Sequence, residues 1–153
     1  MRQLELKVPP PVLALLIAGV MFLLSSSLPH LAFPLAARIG LAIAIACLGG
    51  LFSIGGSFAF HQAKTTVNPM SPSKASSLVT TGVYRITRNP MYVGLLFGLI
   101  AWAVWLASPL LLLGPIAFLL YISRFQIQPE ERVLLELFGK EYSGYKAKVR
   151  RWL

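Results

Sequence analysis

Four long apolar runs constrain this chain more than any other feature. They cover about 12–28, 38–60, 91–107 and 110–122, and each approaches the roughly 20 residues that a helix needs to cross a hydrocarbon core. A soluble domain covers its core with a polar shell and carries about 25% charged residues. Here only 12% of 153 residues are charged and 56% are apolar, so such a shell is lacking. The runs are continuously apolar rather than alternating, which predicts helices and not barrel strands. The chain therefore reads as one domain, an all-α integral membrane protein with four transmembrane helices. Its last two runs are short and are joined through Ser108-Pro109, which predicts a tight antiparallel helical hairpin. Arg2 and Lys7 ahead of the first run also fit a signal peptide. Three long runs would remain after cleavage, so the first run is read as a span.

The charges lie almost entirely between and after the runs. With four spans, the N-terminus, the loop at 61–90 and the tail fall on one side, and Arg38 alone of the fourteen Lys and Arg residues falls on the other. By the positive-inside rule both termini are cytoplasmic, in a multi-pass arrangement. The net charge of +9 is read as topology and contact with anionic membrane lipid, not as a nucleic-acid footprint. Cys47 is the one cysteine, so no intramolecular disulfide or cysteine-built zinc site is available; it reads as a packing residue.

Small residues mark where helices should touch. In the second run Gly49, Ser53, Gly56 and Ser57, with their neighbours Ala46 and Gly50, form a ridge at helical spacing, and the third run carries Gly94 and Gly98 as GxxxG. In lipid, helices associate by close backbone approach, so both ridges read as packing seams.

Two cytoplasmic segments, 78–92 and 129–145, are neither apolar nor of low complexity. In the tail, Pro129 suits a first helical position, Glu130 and Glu131 suit the positively polarised first turn, and Gly139 suits the stop. On that helix both carboxylates border the apolar face, whereas Arg132 and Glu136 lie on the solvated one. A further amphipathic helix would align Tyr142, Tyr145, Val149 and Trp152, with its basic faces on an anionic surface. In the loop, Arg88-Asn89-Pro90 runs into the third span. Spacing alone allows a plain reading here, a helix cap with an interfacial anchor at Tyr92.

The two segments together carry more. LVTTGVYRITRNPMYVG and, after the hairpin, PEERVLLELFGKEYSGY resemble the paired motifs of the isoprenylcysteine carboxyl methyltransferase and phospholipid methyltransferase superfamily. Those are integral membrane enzymes that use S-adenosylmethionine. The resemblance covers the last ninety residues. It implies a cofactor pocket in which Leu78, Val79 and Tyr84 wall the cofactor and Asn89, Pro90 and Tyr92 hold its polar end. Glu130 would take its amino group, with Arg88 and Glu131 as further contacts. This fits the chemistry of the group, whose cations call for carboxylates and aromatic faces. No G-x-G-x-x-G follows a strand here, so a different pocket is required.

The sequence departs from the prenylcysteine enzymes in two places. Asn89 stands where they have histidine, and Gln126 stands about where they have an arginine facing the acceptor carboxylate, with Arg124 nearby. The size and the VRRWL ending look more like the short bacterial members, which implies a bacterial inner membrane. Arg124, Gln126 and His61 are the acceptor-side catalytic candidates; His61 also fits an interfacial residue. The expected activity is methyl transfer from S-adenosylmethionine to a lipophilic or amphipathic small acceptor or lipid. The rivals are an NADPH-dependent reductase related to sterol reductases and a non-catalytic scaffold. Neither the acceptor nor the oligomeric state is legible.

Overall fold

The structure is a computed structural model that describes residues 5–63 and 76–153; Arg2, Lys64 and Lys74 of the basic face lie outside them. Five helices follow in order: α1 (Pro10–Ser25), α2 (Leu35–Gln62), α3 (Pro90–Leu106), α4 (Leu113–Ile122) and α5 (Gln128–Lys148). Tight 3-10 turns occupy Gly82–Arg85 and Pro109–Leu112, and a π turn occupies Ser123–Ile127. The β structure among the described residues is a single parallel bridge between Thr87 and Arg150.

Two stretches, α2 and the rod Pro109–Lys148, are long and apolar enough to cross a membrane, the second interrupted at Gly139; α1 and α3 are apolar but shorter. Large side chains such as Leu15 and Leu23 on α1, Leu51 and Ile54 on α2, and Leu113 and Leu120 on α4 are exposed. Contiguous apolar surface on this scale fits lipid rather than water. Beneath it, Phe118, Ile122 and Ile127 of the rod pack with Ala14 and Met21 of α1 and with Tyr92, Leu99 and Ala103 of α3.

The α2–α3 contact is antiparallel and uses only part of the small-residue ridges. A Cβ on Gly49 would come within 2.8 Å of the Gly94 carbonyl oxygen. One on Gly94 would meet Ser53 and come within 2.6 Å of the Gly49 carbonyl oxygen. Gly56 packs on Pro90 and Met91 in the same way. Gly50 and Gly98 have open space, so the GxxxG of the third run contributes one glycine to the seam and not two. Gly98 instead faces an apolar groove that it lines together with Ala42 and Ala46 of α2.

One end of the bundle holds the α1–α2 connection and the α3–α4 hairpin, tied by the Leu31 amide donating to the Ala107 carbonyl at 2.8 Å. Ala107 turns this hairpin in the left-handed region, at φ 53° and ψ 32°. The opposite end holds residues 5–9, the end of α2, the loop at 76–89, the π turn and α5.

The fourth run does not stop before Pro129 as expected; α4, the π turn and α5 form one rod. Proline at 129 lacks the N–H that would bond the Phe125 carbonyl one turn back. That carbonyl instead accepts the Leu6 amide at 3.1 Å, and the π turn absorbs the misfit. Gly139, at φ 47° and ψ −116°, does break the helix where the sequence suggested a stop, but the chain resumes helix immediately after it.

Gly94→Val is expected to destabilise the protein by about 1–3 kcal/mol through overpacking, whereas Gly98→Ala is expected to leave stability unchanged or slightly raised. Thermal unfolding in mild detergent distinguishes the two; equal effects would contradict the seam.

Candidate functional site

The polar end is assembled from three sequence regions. Gly82, at φ +59°, takes a left-handed turn that opens the 3-10 segment and directs Tyr84 inward. Tyr84 is buried and packs with Val79 and Ala59, with Phe60, Val83 and Tyr145 around them. Its ring meets Phe60 edge-on at 5.4 Å, and its carbonyl accepts the Tyr145 hydroxyl at 2.7 Å. Burial first, then neighbouring Tyr145 and Glu130, push the Tyr84 phenol well above its ordinary range. Burial also raises Tyr145, and burial with the nearby Glu131 charge raises Tyr142 to about 12. All three are neutral aromatic surfaces at physiological pH.

Glu130 stands at the centre. Its Oε1 accepts hydrogen bonds from the Tyr92 hydroxyl at 2.6 Å and from the Gln126 amide at 2.6 Å. Gln126 is almost wholly buried and lies one turn before Glu130 on the same rod, so the pair is set by helix geometry. Tyr92 reaches the site from the first turn of α3. Burial lifts the Glu130 carboxyl, the two hydrogen bonds pull it back, and Glu131 lifts it further; it comes to about 7.

Glu131 is neutralised in a different way. Arg151 grips it with both Nε (3.0 Å) and Nη2 (2.7 Å), and Arg88 Nη2 donates to it at 2.7 Å. Burial raises this carboxyl, but hydrogen bonds and charge from Arg151 and Arg88 outweigh burial and hold it below 4.5. The same contacts raise Arg151. Adjacent carboxylates on one helix are thus driven in opposite directions, Glu131 fixed as an anion and Glu130 poised near neutrality.

The tail after α5 is the part that sequence reasoning missed. Val149 and Trp152 were expected on a helical stripe, yet the helix ends at Lys148 and Val149 is extended, at φ −119° and ψ 135°. The tail's carbonyls are engaged by the loop. The Arg88 amide donates to Arg150 at 2.9 Å, and Arg88 Nη1 donates to Val149 at 2.6 Å. Thr87 Oγ1 and Asn89 Nδ2 both donate to the Arg151 carbonyl, at 3.1 and 2.9 Å. Trp152 Nε1 then donates to Ser123 Oγ at 3.1 Å. Asn89 therefore occupies the N-cap position of α3 without capping it; its amide pins the tail instead. The VRRWL ending was read from the sequence only as a likeness to the short bacterial members, and nothing in its spacing signalled these contacts.

The expected cofactor residues are brought to one end of the bundle. Val79 and Tyr84 form an apolar wall, with half-buried Leu78 beside Val79 in the chain. Tyr92 and Glu130 are bonded to each other, and Arg88, Asn89 and Glu131 join the tail. Pro90 is buried at the start of α3 against Gly56. The acceptor-side candidates separate. Gln126 is bound to Glu130, whereas Arg124 bonds Gln128 at 3.3 Å and pairs with Glu5 at 3.5 Å; Glu5 also pairs with Arg132. His61 is exposed, its Nδ1 3.0 Å from the Ser57 carbonyl of its own helix. The structure does not bring Arg124 or His61 to the Tyr92–Glu130 cluster.

The model of the phospholipid methyltransferase family matches residues 37–141, which contain the first motif segment, most of the second, and Tyr92, Gln126, Glu130 and Glu131; Tyr142, Tyr145 and the tail that follows lie beyond it. The chain belongs to that family. It is 36% identical over 115 residues to the yeast (Saccharomyces cerevisiae) protein-S-isoprenylcysteine O-methyltransferase, covering 67% of this chain and 46% of the yeast protein. It is 40% identical over 79 residues to a probable protein-S-isoprenylcysteine O-methyltransferase of rice, covering 50% of this chain and 40% of the rice protein. An uncharacterized protein of Haemophilus influenzae is 54% identical over 63 residues, 41% of this chain and the whole of that protein. The chain thus spans less than half the length of the yeast and rice methyltransferases. No solved structure matches.

Glu131→Gln is expected to loosen the strap. The Arg88 amide, protected by Arg150, should exchange with solvent about tenfold faster or more, since a charge-assisted hydrogen bond contributes roughly 1.5–3 kcal/mol. Because the Glu131 carboxyl is depressed, its stabilising contribution is present above its ordinary value of 4.5 and is lost as pH falls through the lower folded value. Hydrogen exchange across that range checks the sign.

Proposed function

We propose that the chain is a membrane methyltransferase that binds S-adenosylmethionine at the Glu130 end of the bundle and methylates a lipophilic or amphipathic acceptor. The carrying observation is the Tyr92–Glu130–Gln126 cluster, in which both hydrogen bonds converge on one carboxylate oxygen. Oε2 remains for a cationic ligand group. Family membership and the names of the relatives support the same reading. In it the helices cross the membrane four times, with both termini cytoplasmic.

The residues present fit the donor. An ammonium group suits Glu130, whose carboxyl near 7 ionises fully once a cation binds beside it. Neutral phenols at Tyr84, Tyr142 and Tyr145 offer faces to positive charge, and Val79 and Leu78 offer apolar walls for a heterocycle. The bound donor supplies an electrophilic methyl group. The protein's share is to hold that group in line with the acceptor and to exclude water. Tyr92 and Gln126 fix the Glu130 carboxyl, and the strap fixes the loop that carries Asn89 and Pro90. Lipid-facing helices give an apolar acceptor a route from the bilayer.

S-adenosylhomocysteine, the demethylated product, keeps the amino group and serves as the probe. Glu130→Gln is expected to weaken its binding by about tenfold or more, as loss of a charge-assisted contact costs roughly 1.5–3 kcal/mol, and Tyr92→Phe by less. Wild-type affinity should rise between pH 6 and 8 as Glu130 ionises, and this rise should be absent in Glu130→Gln. Titration calorimetry in detergent reads both. Unchanged affinity in two folded variants would overturn the site.

A further inference from the structure

The end of the bundle away from Glu130 holds a second feature, which the methyltransferase reading does not use. Beyond the Gly49–Gly94 seam, an apolar groove of about 380 Å³ lies between α2 and α3. Ala42, Ala46, Gly98 and Ala101 line it together with Trp102 and Trp105. The seam and the stacked Phe52 and Phe97 separate it from the Tyr92–Glu130 cluster, so it is no extension of that site. Its Trp102 side is held in place, since the indole Nε1 donates to the Ala18 carbonyl of α1 at 3.1 Å.

Arg38 stands beside this groove, against the lining residue Trp105. Its guanidinium lies over the Trp105 ring, 5.3 Å from the ring centre, and its Nε is buried with no hydrogen-bond partner. No ion pair or side-chain hydrogen bond joins Arg38 to a described residue. A buried guanidinium N–H without an acceptor is costly, and the arrangement asks for an anion. The contact with Trp105 holds the guanidinium beside the groove, and its unpartnered N–H donors suit phosphate oxygens.

We propose that this groove binds a membrane phospholipid with an anionic headgroup. Arg38 takes the phosphate, and the groove takes the first part of one acyl chain. Residues 39–46 and 98–105 each run about 10 Å along their helices, a third of the roughly 30 Å hydrocarbon core. The groove therefore suits only the headgroup-proximal stretch of a chain. Lipid tails are already in an apolar medium, so chain burial discriminates little. Selectivity resides in charge: the choline cation of phosphatidylcholine neutralises its own phosphate, whereas an anionic lipid brings uncompensated negative charge to Arg38. Such a lipid would fill the groove between α2 and α3 beyond the Gly49–Gly94 seam.

The test is native mass spectrometry of protein released from nanodiscs of mixed phosphatidylglycerol and phosphatidylcholine. Wild-type protein is expected to retain one phosphatidylglycerol through stepwise delipidation. Arg38→Gln should lower that retention roughly tenfold, the loss of one charge-assisted contact. Gly98→Phe, which fills the groove from an open position and leaves Arg38 intact, should lower it too. Lys140→Gln, at the basic end, should retain the lipid as wild type does. Equal retention of the two lipids by wild type, or unchanged retention in Arg38→Gln, would overturn the proposal. Loss equal in Lys140→Gln and Arg38→Gln would also overturn it, as it would show general attraction to basic residues.

Discussion

Glu131 is a carboxylate almost withdrawn from solvent, and the polar end of the molecule is organised around neutralising it. A buried carboxylate without partners would take up a proton or unfold its surroundings. Two guanidiniums prevent this, one from the loop before α3 and one from the last residues of the chain. Because Arg88 and Arg151 must both reach one carboxyl, the loop and the tail are forced side by side, and their backbones then satisfy each other. Asn89, Pro90 and Tyr92 inherit their positions from that arrangement. Glu130, the preceding residue on the helix, is thereby presented to Tyr92 and Gln126.

The same helix turn therefore holds two carboxyls in different electrostatic states. Glu131 has cations and hydrogen-bond donors around it, and its proton is lost readily. Glu130 has a neutral phenol and a neutral amide, which orient it without supplying charge, so burial dominates and its carboxyl is lifted. A site that needs a cation in order to ionise is suited to a ligand that brings one. The carboxyl that neighbours it is already spent on structure.

Much of this was legible in the sequence because membrane constraints act locally. The four apolar runs correspond to α1, α2, α3 and α4 to within a few residues, and Pro90 opens α3 as its position suggested. Gly139 marks the helix break because its backbone angles exclude other residues. The clustering of 78–92 with 129–145 was readable only through paired motifs, since nothing in local propensity brings them together. What stayed hidden was long-range. Val149 and Trp152 have helical spacing to Tyr142 and Tyr145, but tertiary hydrogen bonds from Thr87, Arg88 and Asn89 pull this stretch out into an extended strap. Gly98 looked like half of a seam, yet it faces open space beside Ala42 and Ala46, which spacing along one helix does not reveal. In the π turn that joins α4 to α5, the Phe125 carbonyl is bonded by the Leu6 amide, more than a hundred residues away.

The central claim is that the Glu130 end of the bundle is a site for S-adenosylmethionine. Equilibrium dialysis of the purified protein in mild detergent, run in parallel against S-adenosylmethionine and NADPH, tests it most directly. The account predicts saturable retention of one S-adenosylmethionine per chain and no retention of NADPH. Retention of NADPH instead, or of neither, would contradict it.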